Sequence, residues 1–193
     1  MLISRGRAVR NLAMGASAFV ALTLSAATDV PRGWMLAGSK PADYEASVDR
    51  KTVHEGQPSA VLKDKQGNSE GFGTLMQQIS AVQYQGQRLR LSGYVKSEEV
   101  KNWAGLWMRV DKEGSVSAFD NMQERAIQGT TGWQKCEVVL DVEKRATGIA
   151  FGILLTGSGR VWLSGTKLEV VTAEVPTTGG AGRVTPVNLD FTE

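Results

Sequence analysis

Arg88-Leu89-Arg90-Leu91-Ser92-Gly93-Tyr94-Val95-Lys96 alternates apolar with polar residues at almost every step. Successive side chains of a strand point to opposite faces, so Leu89, Leu91, Gly93 and Val95 form one face and Arg90, Ser92, Tyr94 and Lys96 the other. The first face is core. The next run, Ala104 to Asp111, splits the same way, with Ala104, Leu106, Met108 and Val110 inward and Gly105, Trp107, Arg109 and Asp111 outward. Around this pair, further strand-like segments occupy Ala60 to Lys63, Gly71 to Ile79, Val116 to Phe119, Gln134 to Asp141, Gly148 to Leu155 and Val161 to Val171, the last with a break at Ser164-Gly165. Between them, Gly86, Gly114, Gly129-Thr130-Thr131-Gly132 and Gly157-Ser158-Gly159 accept the bends of tight connections. Only Ser97 to Asn102 reads as helical, with Ser97 as N-cap and Glu98-Glu99 in the first turn. Many short strands without intervening helices predict an all-β fold, a two-sheet antiparallel β-sandwich.

The 193 residues are 41% hydrophobic and 22% charged, ordinary globular figures that exclude disorder, collagen and a polytopic membrane protein. Residues 1–27 read as a signal peptide: Arg5, Arg7 and Arg10 precede an apolar run from Leu12 to Leu24, followed by small residues at Ser25-Ala26-Ala27. The run is about 13 residues, short of the roughly 20 that span a bilayer, which favours cleavage over a retained anchor. The sandwich is expected over residues 28–172, a Gly-rich flexible linker over 173–187 and a last strand over 188–193, in a periplasmic or secreted chain. Without the three leader arginines, 19 basic residues face 20 acidic ones, so the overall charge gives no reason to expect nucleic acid as a partner, and a cleaved leader leaves no membrane segment. One Cys and one His exclude an internal disulfide and any metal site built on several such residues. Cys136, in a strand-like run, is expected to be a buried, inert thiol.

If the strands around Tyr94 and Trp107 are neighbours, Tyr94, Trp107, Arg109 and Arg90 share one outward surface. Aromatic rings offer a flat platform to the C–H face of a sugar, and a nearby guanidinium or amide bonds its hydroxyls. The alternative is that the two faces are exchanged and Trp107 is core. Gln77-Gln78 places one amide on each face, which makes Gln78 a ligand candidate. Phe119-Asp120-Asn121-Met122 brings Asp120 and Asn121 to the same rim, or else forms a turn in which both side chains bond their own backbone. Trp103 and Trp133 are read as plugs at the ends of the sandwich.

Catalytic patterns are thin. His54 sits in the turn Val53-His54-Glu55-Gly56 with no nucleophile elbow near it, and reads as a surface histidine. Glu98-Glu99 and Asp141 with Glu143 are carboxylate pairs with nothing to single them out as a glycosidase dyad. No cofactor is expected, although Asp, Glu and backbone carbonyls leave a structural calcium open without any loop of EF-hand spacing.

Gly33-Trp34, Tyr44-Glu45, His54-Glu55-Gly56-Gln57-Pro58-Ser59-Ala60, the Arg88 to Lys96 stretch and Gly159-Arg160-Val161-Trp162-Leu163 follow one another in an order that resembles jelly-roll carbohydrate-binding modules of the galactose-binding-like type. The resemblance spans roughly residues 33 to 171. It implies a β-jelly roll, non-catalytic binding of glycans or other small polar ligands, and often a structural calcium. Those modules commonly carry acidic residues after the Trp of the last landmark, whereas Ser164-Gly165 follow Trp162-Leu163 here, which weakens the case for that metal. Gly71 to Gln78, Trp103 to Asp111 and Phe119 to Met122 are also similar to a bacterial subgroup sometimes attached to transcription regulators. A segment of the type Asn-Leu-Asp-Phe-x-Glu comes first in such modules, yet here it stands at Asn188-Leu189-Asp190-Phe191-Thr192-Glu193. The tail is therefore expected to return as a strand, on its own domain or on a neighbour as a swapped homodimer. A protein-interaction module of the cell envelope is the competing class, and a hydrolase a weaker one.

Overall fold

The structure, a computed structural model, describes residues 30–178. The leader over residues 1–27 and the terminal strand over 188–193 lie outside the described residues, as does the linker from residue 179 onward. In chain order the strands are β1 (Met35–Gly38), β2 (Tyr44–His54), β3 (Gln57–Asp64), β4 (Phe72–Ser80), β5 (Arg88–Lys112), β6 (Ser115–Asp120), β7 (Ile127–Asp141), β8 (Ala146–Thr156) and β9 (Arg160–Val171). The described helices are single 3-10 turns at Pro41–Asp43, Val82–Tyr84 and Gln123–Arg125, and no described helix is long and apolar enough to cross a membrane.

The expected sandwich is present, and one strand builds both of its layers. The two segments read as separate strands are halves of β5, which runs unbroken for 25 residues. Its first half, to Glu98, lies between β7 and β9, and its second half, from Trp103, between β8 and β6. One layer is thus β2-β3-β9-β5-β7 and the other β1-β4-β8-β5-β6, all antiparallel.

The helical turn expected at Ser97 to Asn102 is instead the corner where β5 changes layers. Glu99 takes a positive φ of 52°, and the pairing with β7 shifts register at Val95/Ser97, Ser97/Val100 and Val100/Ala104. The polar residues that resemble a helix cap serve this corner. The buried Ser97 hydroxyl donates to Gly129 O at 3.1 Å and accepts the Thr131 N–H at 3.1 Å, while the Thr130 hydroxyl accepts the Glu99 N–H. A backbone freed from its ladder is thereby kept satisfied.

The alternation assigned the core faces correctly. Leu89, Leu91 and Val95 from one layer and Leu106, Met108 and Val110 from the other are fully buried and join Leu75, Val138, Leu140, Ile149, Ile153 and Leu155 in one cluster. Each such side chain contributes about 1.5–3 kcal/mol. Tyr44 fastens the layers at one end. Its ring is fully buried, its hydroxyl donates toward Gly71 O at 3.1 Å and Gly157 O at 2.9 Å, and Gly73 leaves room for it, because a Cβ there would lie 2.4 Å from the ring. Burial, reinforced by the nearby Asp64 charge, pushes the Tyr44 pKa up to about 12.

Two strands escaped the sequence reading. β1 is short, and in β2 the inward alternation Tyr44, Ala46, Val48 runs into Asp49-Arg50-Lys51, which looks like a turn. The structure holds that run in the hairpin arm because Asp49 Oδ1 accepts the N–H groups of Lys51 and Thr52, with a register shift between Asp49 and His54. The break expected at Ser164-Gly165 is a bulge within β9: Gly165 has φ of 62° and the pairing with β5 shifts there. Cys136 is buried, and burial pushes its thiol pKa up to about 11.

Candidate functional site

Trp103, Gly105, Trp107, Arg109 and Asp111 alternate with the core residues of β5 and so face away from the interior. Trp107 is nevertheless only 8% exposed. Its neighbour across β8 is Gly152, with no side chain to lift the indole, and the ring packs with Ala150, Leu154, Met76 and Trp103 in a cluster separate from the main core. The indole N–H donates to Thr74 Oγ1 at 2.7 Å, and the Thr74 hydroxyl donates to Ile153 O at 2.9 Å. Trp107 therefore lies flat along the outer face of its layer. It is neither interior core nor a projecting platform.

Beside it runs a cleft of about 450 Å³ lined by Phe72, Met76, Trp103, Trp107, Arg109 and Phe119, with Thr74, Leu154, Thr156 and Asn121 among the smaller contributors. The register explains the lining. Phe72 and Trp103 flank Thr156 on β8 from either side, and Phe119 is the β6 partner of Arg109. Phe72 and Phe119 are 36% and 48% exposed. Trp103 thus belongs to the outer face and does not plug the sandwich end, because it shares the parity of Trp107 on the same strand half. The polar end of the cleft is Arg109, paired with Asp111 at 2.9 Å and hydrogen-bonded to it from Nη2 to Oδ2 at 3.1 Å, while its buried Nε has no hydrogen-bond partner among the described residues. The pair offsets the guanidinium charge and leaves its remaining N–H groups for a ligand.

Asn121 reaches the cleft through a close backbone approach. Met122 has a left-handed φ of 60°, and the 121–122 loop presses onto Gly105, where a Cβ would lie 2.9 Å from Met122 Cβ and 3.1 Å from Asn121 O. Asn121 Oδ1 accepts the Gln123 N–H. Its amide NH2 has no hydrogen-bond acceptor among the described residues. Gln78 is exposed on the same face, two strands from Arg109 across Ala150, and stands outside the cleft lining. Its neighbour Gln77 turns to the other side, as expected.

Three expected site residues are elsewhere. Tyr94 turns away from the core as Trp107 does, but the corner at Ser97 to Asn102 puts it on the outer face of the opposite layer. There it stacks on His54 at 3.9 Å between ring centroids, with Trp133 at 5.2 Å from His54. Trp133 is accordingly not an end plug, and His54 is a half-buried partner of that stack instead of a free surface histidine. Arg90, in the same layer, is paired with Glu169. Asp120, one residue beyond Phe119, has the opposite parity and is only 8% exposed. It accepts hydrogen bonds from Arg125, from the Met122 N–H and from the Thr178 hydroxyl. Burial raises its pKa, but those three partners together outweigh it and hold the carboxyl below its ordinary range. Asp120 and Asn121 thus both form the backbone-bonded turn, and Asp120 ties the chain at Thr178 to β6. Residues 173–178 lie against the sandwich, with Arg88 donating to Ala173 O and Val175 O and the Thr178 N–H to Val139 O.

Of the carboxylates considered for catalysis, Glu98 pairs with Arg160, Asp141 with Arg88 and Glu143 with Lys112. Among the described residues no three of His, Cys, Asp and Glu converge as a metal site.

No family model matches the chain. It is 44% identical over 168 residues to the uncharacterized HTH-type transcriptional regulator YbfP of Bacillus subtilis (strain 168), a match covering 84% of this chain and 57% of that protein. The chain thus spans little more than half the length of this relative. Among solved structures it is similar to the CBM22-1 xylan-binding domain of Xyn10C from Paenibacillus barcinonensis, with a TM-score of 0.53 and 19% identity over 75% of this chain and 89% of that one. It is also similar to the enzymatically active domain of tailspike protein 4 from bacteriophage CBA120, with a TM-score of 0.56 and 13% identity over 72% of this chain and 20% of that one. The fold is the jelly roll of carbohydrate-binding modules, as the resemblance in the sequence implied.

Proposed function

We propose that the chain is a non-catalytic module that binds a carbohydrate or another small polar ligand in the cleft beside Trp107. The observation that carries this reading is the joining of an aromatic stretch, Phe72, Trp103 and Trp107, to a polar end of Arg109 and Asn121 on one rigid sheet face. A sugar presents both an apolar C–H face and hydroxyls, and side chains already fixed by strands lose little entropy on binding it. The xylan-binding domain that shares the fold supports a glycan as ligand, and the leader pattern over residues 1–27 supports a periplasmic or secreted location. Titration calorimetry with xylo-, cello- and galacto-oligosaccharides tests the site. Phe72→Ala and Phe119→Ala, at exposed positions, should weaken a bound oligosaccharide several-fold, and a ligand held equally well by both variants would place the site elsewhere.

The exposed Phe72, Phe119 and Met35 around the same face favour one second reading, a docking surface for another polypeptide. Capture of a protein partner through this face, with no heat from any sugar, would select it.

A further inference from the structure

The opposite layer carries a second concave feature that the cleft does not use. Along its outer face the register sets Ser47, Val61, Trp162 and Lys96 in one row and Glu45, Lys63, Arg160 and Glu98 in the next. A pocket of about 450 Å³ opens there over Val61 and Trp162, and Arg50, Lys51, Lys63 and Arg160 line it. The acid in its lining, Asp49, is already engaged. Its carboxylate accepts the backbone N–H groups of Thr52 and Lys51 and the indole N–H of Trp162. The Thr52 N–H, followed by those other donors, holds its pKa far below the usual carboxylate range against the effect of burial. Lys96 Nζ stands 5.2 Å from the Trp162 ring centroid. Lys63 is paired with Glu45 at 2.5 Å and Arg160 more loosely with Glu98 at 3.8 Å. Arg50 and Lys51, exposed on the hairpin arm, have no carboxylate within ion-pair distance among the described residues.

We infer that this pocket is a second ligand site, selective for an acidic polysaccharide whose carboxylates meet Arg50 and Lys51, with Lys96 standing beside them over Trp162. Unpaired cations at the rim of a pocket whose floor residues Val61 and Trp162 are only 8% and 5% exposed fit a polymer held through spaced carboxylates, without ring stacking. Nucleic acid fits less well, because a duplex carries one charge per about 1.7 Å and asks for a continuous basic track. The site stands on the other layer from the cleft and does not depend on what the cleft binds.

Affinity electrophoresis through polygalacturonate, with neutral xylan and single-stranded DNA as parallel gels, tests the inference. The parent chain should be retarded by polygalacturonate at about 50 mM salt and much less at about 200 mM. Arg50→Glu with Lys51→Glu should weaken that retardation roughly ten-fold. Phe72→Ala should leave it unchanged, which separates this site from the cleft. Thermal melts of the charge-reversed chain check that its fold is intact, and Lys51→Gln alone gives a milder variant with an intermediate effect. Absence of retardation by polygalacturonate, equal retardation of parent and charge-reversed chain, or tighter binding to DNA would each overturn the inference.

Discussion

The indole N–H of Trp107 and the hydroxyl of Thr74 meet at 2.7 Å across β8, and this bond turns a tryptophan that would project from its sheet into the wall of a cleft. Thr74 is itself 3% exposed and spends its own proton on Ile153 O. Thr74→Val should leave the indole N–H without a partner in a nearly water-free place, costing about 1–3 kcal/mol. Thermal unfolding should record a drop of several degrees, and near-ultraviolet circular dichroism a change in the tryptophan environment. An unchanged spectrum would show that the ring is held by packing alone.

Gly105→Ala tests the close approach of the 121–122 loop. The added methyl would collide with Met122 and the Asn121 carbonyl, so the loop must lift, at roughly 1–3 kcal/mol. Asn121 should then leave the cleft, and affinity for a cleft ligand should fall by more than the loss of stability explains.

Tyr44 makes stability depend on alkaline pH. Its folded pKa of about 12 lies above the ordinary value of 10.0, so its contribution is complete below about pH 10 and is lost as pH rises through the folded value. Urea melts at about pH 9 and about pH 11 should show the parent losing stability between them. In Tyr44→Phe that loss should shrink, although the variant starts about 1 kcal/mol less stable because its hydrogen bonds to Gly71 and Gly157 are gone.

Asp120 acts in the opposite pH range. Its lowered pKa means that the clamp on Arg125 and Thr178 is complete above the ordinary carboxylate value and fails as pH falls through the folded one. Asp120→Asn at neutral pH should reproduce the acid effect locally. Hydrogen exchange should speed up at the amides of Val139 and Thr178, which bond to one another's residues, while the amides of Leu91 and Leu106 stay protected.

Which side chains face inward was legible in β5 because a strand with one buried face must alternate, and Leu89, Leu91, Leu106 and Met108 do so without exception. Where each half of that strand lies was not. The corner at Ser97 to Asn102 is held by Gly129, Thr130 and Thr131, partners some thirty residues onward, and no local pattern announces them. Tyr94 and Trp107 therefore both turn away from the core and yet face opposite sides of the molecule. Asp120 missed the site by the smallest shift a strand permits, since its neighbour Phe119 owns the outward direction. The flat pose of Trp107 depends on Gly152 and Ala150, more than forty residues away in sequence, and the cleft became visible only once β8 was laid beside β5.

A strand shared by two layers also has a history. β5 finds partners in β6, β7, β8 and β9, and the last three follow it by many residues. Until β9 has been made, the first half of β5 lacks one of its two neighbours, and until β8 has been made, so does the second. The layers cannot be assembled in turn, the first finished before the next begins, and long-range closure of this kind makes folding slow and all-or-none. A nick within residues 97–102 would then sever both halves of the molecule from their common beam, and the two fragments should assemble only together.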